Sequence, residues 1–416
     1  MRTVEEQHAR IAEAAVELEP QRVSIVDARG LVCAEEVTAR RPLPGFDQAA
    51  VAGYAVRSID VADAGPDHKG QFGQPADLAL PVVGEIRAGA RQIPRLQPQQ
   101  AVRVEAGAPL PALADAVVPL DGTNGDRAKV AIFHPIKPGT NIREAGDDVR
   151  VGDVAVAEGT LVSAAHVALL ASVGRTDVLV RSRPRITIIA VGPELVDIAF
   201  VPDMGQVYDV NSYALAAAAT EAGAIANRVG IIDPYADAVR SAIAEHLPRT
   251  DILIITGGVG GRASDTVQEA LLDFGNIEIS RVGMHPGGVQ GFGMLGDRKV
   301  PTFLLSELPT SVLVVFEVMV RPLVRTMLGR PDPYRRRVQA RTVNDFTSEP
   351  GVIGYVRGKL MRDGRGKYHV RALGAVDGAN RITHLADANC LIEVGPGTTH
   401  VGAGETVPVA FLAQRG

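Results

Sequence analysis

Tryptophan is absent from this chain of 416 residues, and aromatic residues make up only 4% of it. Its cores must therefore be built from Val, Leu, Ile and Ala. Cysteine is nearly as scarce: Cys33 and Cys390 can supply neither a disulfide framework nor a four-ligand zinc site, which fits a reducing compartment. Basic charge is not in excess, since 43 Lys and Arg stand against 48 Asp and Glu for a formal net charge of -5. With both signs scattered throughout there is no basic face for a phosphate backbone, and nucleic acid is excluded as an expected partner. No uninterrupted apolar run of about 20 residues occurs either. The most apolar stretch, Val300 to Val324, is broken by Glu307, Pro309, Glu317, Arg321 and Pro322 and reads as a core strand followed by a buried helix. The opening Met-Arg-Thr-Val-Glu-Glu-Gln-His lacks the charged, apolar and small-residue regions of an export signal. Together these absences predict a soluble, cytoplasmic protein with no direct membrane insertion.

What is present is an ordinary globular composition, 46% hydrophobic and 22% charged, too long for a single core and pointing to two to four domains. Val4, His8, Ile11, Ala15 and Leu18 recur at spacings of three and four, and Thr3 with Glu6 forms a capping-box pattern, so residues 3–18 are expected to be an amphipathic helix. From about Gln21 to Gly139 short Val-rich runs are divided by Gly/Pro clusters, the pattern of a β-rich portion. Ser163 to Val173 reads as a short helix. After Pro184 strands and helices alternate through Ile186–Val191, Ser212–Ala222, Arg228–Ile232, Tyr235–Leu247, Asp251–Thr256 and Thr266–Phe274. That alternation implies βαβ units and a mostly parallel sheet, with any ligand at the carboxyl ends of its strands. Beyond the basic, Pro-rich Arg330-Pro-Asp-Pro-Tyr-Arg-Arg-Arg, short strands predict a small terminal β domain. The expected fold class is thus multidomain α/β: a helix in residues 1–24, a β-rich part over 25–141, a return segment over 142–183, an α/β domain over 184–330 and a β domain over 331–416.

The segment Pro42-Leu-Pro-Gly-Phe-Asp-Gln-Ala-Ala-Val-Ala-Gly-Tyr-Ala-Val-Arg closely resembles the PLPPFDNSAMDGYAVR signature of the MoeA and gephyrin E-domain family. Further matches follow in order at Val104-Glu-Ala-Gly-Ala-Pro-Leu-Pro, Asn141-Ile-Arg-Glu-Ala-Gly-Asp-Asp, Gly205-Gln-Val-Tyr-Asp-Val-Asn and Thr256-Gly-Gly-Val, spread over nearly the whole chain. The resemblance implies an elongated homodimer whose cleft lies between the α/β domain of one chain and the N-terminal domains of the other. It also implies a molybdopterin molybdenumtransferase, which takes adenylylated molybdopterin, molybdate and a divalent cation such as Mg2+ and releases AMP. Such a cleft needs cations for the molybdate dianion and carboxylates around the metal.

Against that pattern the chain departs at six positions expected to matter for catalysis. Ala52 stands for an Asp, Ala106 for a Thr, Pro193 for an acid, His285 and Gly288 for two lysines, and Ser306 opens a loop that gains Glu307. Matching positions are kept at Glu194, Asp209, Asn211, Thr256, Gly257, Gly258 and Asp265, the candidates for cofactor contact, with Glu194 and Asp265 the candidates for a metal. A cap or loop-closing role accounts for several of them equally well. His285 carries charge only near or below its reference pKa of about 6.5, and Gly288 carries none. The charge loss leads to the expectation of a gephyrin-like dimeric scaffold with a degenerate insertion site and no required cofactor. The resemblance to gephyrin-type proteins implies a partner groove between the N-terminal helix and the terminal β domain, at Glu5, His8 and Pro396. Resemblance to the actinobacterial gephyrin-like branch, through Gly45-Phe-Asp-Gln-Ala-Ala and Met284-His-Pro-Gly, points to the C-terminal tail of the cell-division protein FtsZ as that partner. The alternative is a working molybdenumtransferase in which Arg262 or Arg281 stands in for a lost lysine.

Overall fold

The computed structural model describes residues 1–69, 78–374 and 381–412, which fall into two compact units. One unit comprises residues 1–21 and 181–416, the other residues 22–180. Helix α1 (Val4–Glu13) opens the first of them. Both bonds of the expected capping box form, Thr3 Oγ1 accepting from the Glu6 N–H and Glu6 accepting from the Thr3 N–H, so two of the orphan donors at the helix start are satisfied. The helix is shorter than its apolar spacing predicts. The N–H groups of Ala14 and Ala15 turn back to carbonyls three residues earlier and close the last turn, while Ala15 and Leu18 still pack on the core from a non-helical path.

Residues 22–180 hold a five-stranded sheet of β1 (Gly53–Val56), β2 (Leu78–Ile86), β3 (Ala101–Val104), β4 (Ala116–Pro119) and β5 (Lys129–Ile132), in the order β4-β1-β3-β2-β5. All pairs are antiparallel except β2 with β3. Alternation along β1 sends Tyr54 and Val56 into one apolar cluster and Ala55 into another on the opposite face. A short helix, α2 (Ala164–Ser172), is capped by Ser163 and His166.

The first unit resumes with β6 (Arg185–Val191), α3 (Asn211–Ala222), β7 (Ile225–Ile232), α4 (Ala236–His246), β8 (Ile252–Thr256) and α5 (Ser264–Leu271). It continues through β9 (Gly275–Arg281), β10 (Val289–Leu295) and β11 (Val300–Leu305) to α6 (Pro309–Val315) and α7 (Arg321–Met327). The sheet order is β7-β6-β8-β11-β10-β9, with the first four strands parallel and the last two added antiparallel. Ile186, Ile188, Ile252, Ile254, Phe303 and Leu305 face a core shared with α1, α3, α6 and α7. Ile189, Val191, Leu253, Ile255 and Leu304 face α4 and α5. Burial on both faces is why these strands read as continuous apolar runs. Helix α3 stops at Gly223, whose φ of 106° lies in the left-handed region that glycine enters without steric cost.

The remaining strands, β12 (Arg337–Thr342), β13 (Ile353–Arg362), β14 (Tyr368–Ala372), β15 (Cys390–Val394) and β16 (Thr406–Phe411), pair in the order β13-β14-β12-β16-β15. A further β13–β15 pairing closes the sheet on itself around Val370, Cys390, Ile392 and Val409. The fold is therefore the multidomain α/β arrangement expected, with a β-rich part, a mostly parallel central sheet and a small terminal β domain. Among the described residues no helix is long and apolar enough to cross a membrane.

Candidate functional site

Three loops leave the carboxyl ends of the adjacent parallel strands β6, β8 and β11 and converge with the start of α3. Where they meet is an open cavity of about 520 Å³, lined by Glu194, Leu195, Tyr208, Asn211, Arg262, Glu307 and Leu308 among others. This is the crevice in which parallel α/β sheets hold ligands. The first loop is Gly192-Pro193-Glu194, and the Glu194 carboxylate folds back so closely that a Cβ on Gly192 would lie 2.7 Å from its Oε1.

The second loop, Gly257 to Ala263, crosses directly over the end of β6. Gly257 has a φ of 81°, and a Cβ there would lie 1.9 Å from the Val191 carbonyl oxygen. No other residue fits that crossing without moving the strand. Gly258 packs against Leu304 and Val267. The third loop brings Glu307 over the second, its carboxylate occupying the space a side chain at Gly261 would need, with a Cβ there only 2.6 Å from Glu307 Oε2. Asn211, buried at the head of α3, pins that loop by donating from Nδ2 to the Glu307 carbonyl oxygen at 2.7 Å. Its Oδ1 is buried without a hydrogen-bond partner among the described residues.

The structure brings Glu194 and Asn211 together in this cavity and places the other expected contact residues around it. Asp209 lies beneath, 1% exposed, accepting from the Ser212 N–H at 3.0 Å and from the Ser212 hydroxyl, and paired with Arg228 at 3.8 Å. It orients the start of α3, and the Arg228 guanidinium in turn lies 3.9 Å from the centre of the Tyr213 ring. Thr256 is buried at the end of β8, and Asp265 is exposed in the first turn of α5, outside the lining. Among the described residues no group of three or more His, Cys, Asp or Glu gathers as a metal-ligand set.

Of the altered positions, Pro193 and Ser306 flank the cavity loops, while Ala52 and Ala106 are exposed in the other unit. His285 is exposed in a two-residue strand, Met284–His285, that pairs with Ile353–Gly354 of β13. Gly288 closes a tight turn in which Val282 N–H donates to its carbonyl at 2.7 Å, and a Cβ on it would lie 2.8 Å from the Met284 carbonyl oxygen. A side chain at 288 would require the Met284 carbonyl to shift.

His8 lies apart from this cavity, in a much smaller one with Tyr334, Arg337, Tyr355 and Glu393. Its Nε2 donates to the Val318 carbonyl at 2.8 Å and its ring is 5.3 Å from that of Tyr334. Burial lowers its pKa, against the opposing pull of the Val318 bond. Glu5 is exposed on α1, and Pro396, which accepts from the Gly351 N–H at 2.9 Å, is not among the residues lining that cavity.

What the residue types alone did not single out is the segment between Glu194 and Tyr208. Ile198, Phe200, Val201 and Met204 are exposed on it, beside the cavity. The signal available was a cluster of apolar residues with neither helical nor strand periodicity.

In order along the chain, residues 2–174 match the MoeA N-terminal region (domain I and II), residues 187–326 a probable molybdopterin binding domain and residues 339–412 the MoeA C-terminal region (domain IV). A Mycobacterium tuberculosis protein named molybdopterin molybdenumtransferase 1 is 54% identical over 427 aligned positions, covering 100% of both chains. The chain belongs to the MoeA family. A second M. tuberculosis member of that family, named molybdopterin molybdenumtransferase 2, is 32% identical over 98% of this chain and 99% of its own. Among solved structures, the MoeA protein from Pyrococcus horikosii superposes with a TM-score of 0.84 at 25% identity, covering 99% of each chain.

Similarity to a named molybdenumtransferase at this level and over the full length overturns the expectation of a degenerate scaffold for the FtsZ tail. The physical error lay in treating each lost lysine as a charge missing from an otherwise unchanged pocket. At Gly288 the chain turns tightly enough that a Cβ would lie 2.8 Å from the Met284 carbonyl oxygen, and the cavity carries a guanidinium at Arg262.

Proposed function

We propose that this MoeA-family chain is a working molybdopterin molybdenumtransferase, inserting molybdenum from molybdate into adenylylated molybdopterin. The observation that supports it most directly is the 54% identity, without gaps in coverage, to a protein of that name. The cavity at the carboxyl ends of β6, β8 and β11 has the size and polarity for a nucleotide-bearing pterin, with Leu195, Tyr208 and Leu308 offering apolar surface beside the charged Glu194, Arg262 and Glu307.

A divalent cation fits the donor set. Glu194 and Glu307 present carboxylates to the cavity with no ion-pair partner among the described residues, and Mg2+ characteristically takes one or two carboxylates together with phosphate oxygens and water. When bound, such an ion supplies charge neutralisation to a departing phosphate. The chain's own residues orient the pterin and fix the loop positions through the Asn211 to Glu307 bond.

We also propose that the protein works as a homodimer in the cytoplasm. The exposed Ile198, Phe200, Val201 and Met204 form the kind of apolar surface that a second copy would cover, and both cysteines are buried and unbridged. Expression in a strain lacking its own molybdenumtransferase tests the activity: nitrate reductase activity is expected to return. Failure to restore it, with the protein present and folded, would remove the proposal.

A further inference from the structure

Among the described residues lining the cavity of about 520 Å³, Arg262 is the one basic side chain. It is exposed on the glycine-rich loop, next to Gly261 over which the Glu307 carboxylate packs, and among the described residues it has no hydrogen-bond or ion-pair partner. Two carboxylates, Glu194 and Glu307, face the same space. An incoming anion therefore meets its attractive charge in this lining at one guanidinium, with two carboxylates opposing it. A guanidinium is always charged at physiological pH, and its planar fork of N–H donors matches the oxygens of a tetrahedral oxyanion two at a time. An uncommitted arginine on a loop that must be glycine-rich to cross β6 is placed by the backbone rather than by a salt bridge.

We propose that Arg262 is the residue by which this cleft grips a tetrahedral dianion, with Glu307 as the opposing charge that keeps the grip weak and reversible. The dianion is either molybdate or the phosphate monoester of the AMP that the reaction releases; both present tetrahedral oxygens. The assignment rests on the molybdenumtransferase reading for the identity of the anion, not for the presence of the site.

The test is calorimetric titration of the full-length protein with sodium molybdate and, separately, with AMP. Arg262→Ala is expected to weaken binding in one arm or both by about 10- to 100-fold, the loss typical of a charge-assisted hydrogen-bond pair. The weakened arm identifies the source of the anion. Arg262→Lys is expected to recover part of the loss, since it keeps the charge without the fork, and Glu307→Gln to tighten binding. Thermal unfolding is expected to stay unchanged in all three, because both side chains are exposed. Wild-type-like affinity of Arg262→Ala for both anions, or no binding of either by the wild-type protein, overturns the proposal. A protein that binds these anions through Arg262 but inserts no molybdenum would instead overturn the enzymatic reading and leave this one standing.

Discussion

Gly257 shows what a single residue contributes here. Its φ of 81° and the 1.9 Å that would separate a Cβ from the Val191 carbonyl oxygen leave no room for alanine without displacing the end of β6. Gly257→Ala is expected to lower stability by about 2–4 kcal/mol, combining backbone strain with a steric clash, and to distort the cavity loops. Urea unfolding followed by circular dichroism measures it, and a change below about 0.5 kcal/mol would show that the crossing relaxes freely. The residues Thr256-Gly257-Gly258 were legible as a loop at a strand end, because glycine is informative wherever a backbone must come close. Their partner was not, since nothing in the local sequence names the Val191 carbonyl. The same limit applied at Gly288: the missing side chain was plain, but the tight turn that crowds a Cβ there was not.

Elements were easier to read than their junctions. The central strands announced themselves as apolar runs, and α1 through its capping box, because these depend on neighbours in sequence. The antiparallel pair β9 and β10, a Gly-rich and partly polar addition to the sheet edge, gives only a weak pattern of this kind. The junction between α6 and α7 is more revealing. Residues 316–320 form a π turn, which widens the helix. The turn holds Glu317, which accepts two hydrogen bonds from Arg335, at 2.8 and 3.0 Å, and lies 3.8 Å from Arg321. All three side chains are largely buried, and burial, with Arg335 close by, pulls the Arg321 pKa down to about 10. Removing one partner of such a group leaves charge uncompensated in a low-dielectric setting. Glu317→Ala is therefore expected to cost about 3–5 kcal/mol, measured by differential scanning calorimetry. A transition temperature equal to that of the wild type would mean that the arginines find water or another acceptor. Sequence alone identified Glu317 only as an interruption of an apolar run.

At the scale of the whole molecule the chain builds one compact unit from residues 1–21 and 181–416 and another from residues 22–180, so its first helix packs with strands more than 160 positions later. Its assembly is expected to depend on the exposed segment after Glu194. Phe200 is 65% and Val201 87% exposed, and Phe200→Asp with Val201→Asp should halve the mass seen by light scattering if a second copy covers them. An unchanged mass would place the subunit contact elsewhere. Composition, periodicity and the ordered family motifs determined the fold class and the family, because these follow from local pattern and from which residue types are present, whereas the scaffold reading drawn from single altered positions was overturned. Only the tertiary structure decided which charges share a cavity, since Glu194, Arg262 and Glu307 lie on three separate loops. Their convergence is a consequence of strand order, and the balance of two carboxylates against one guanidinium exists nowhere along the chain until β6, β8 and β11 lie side by side.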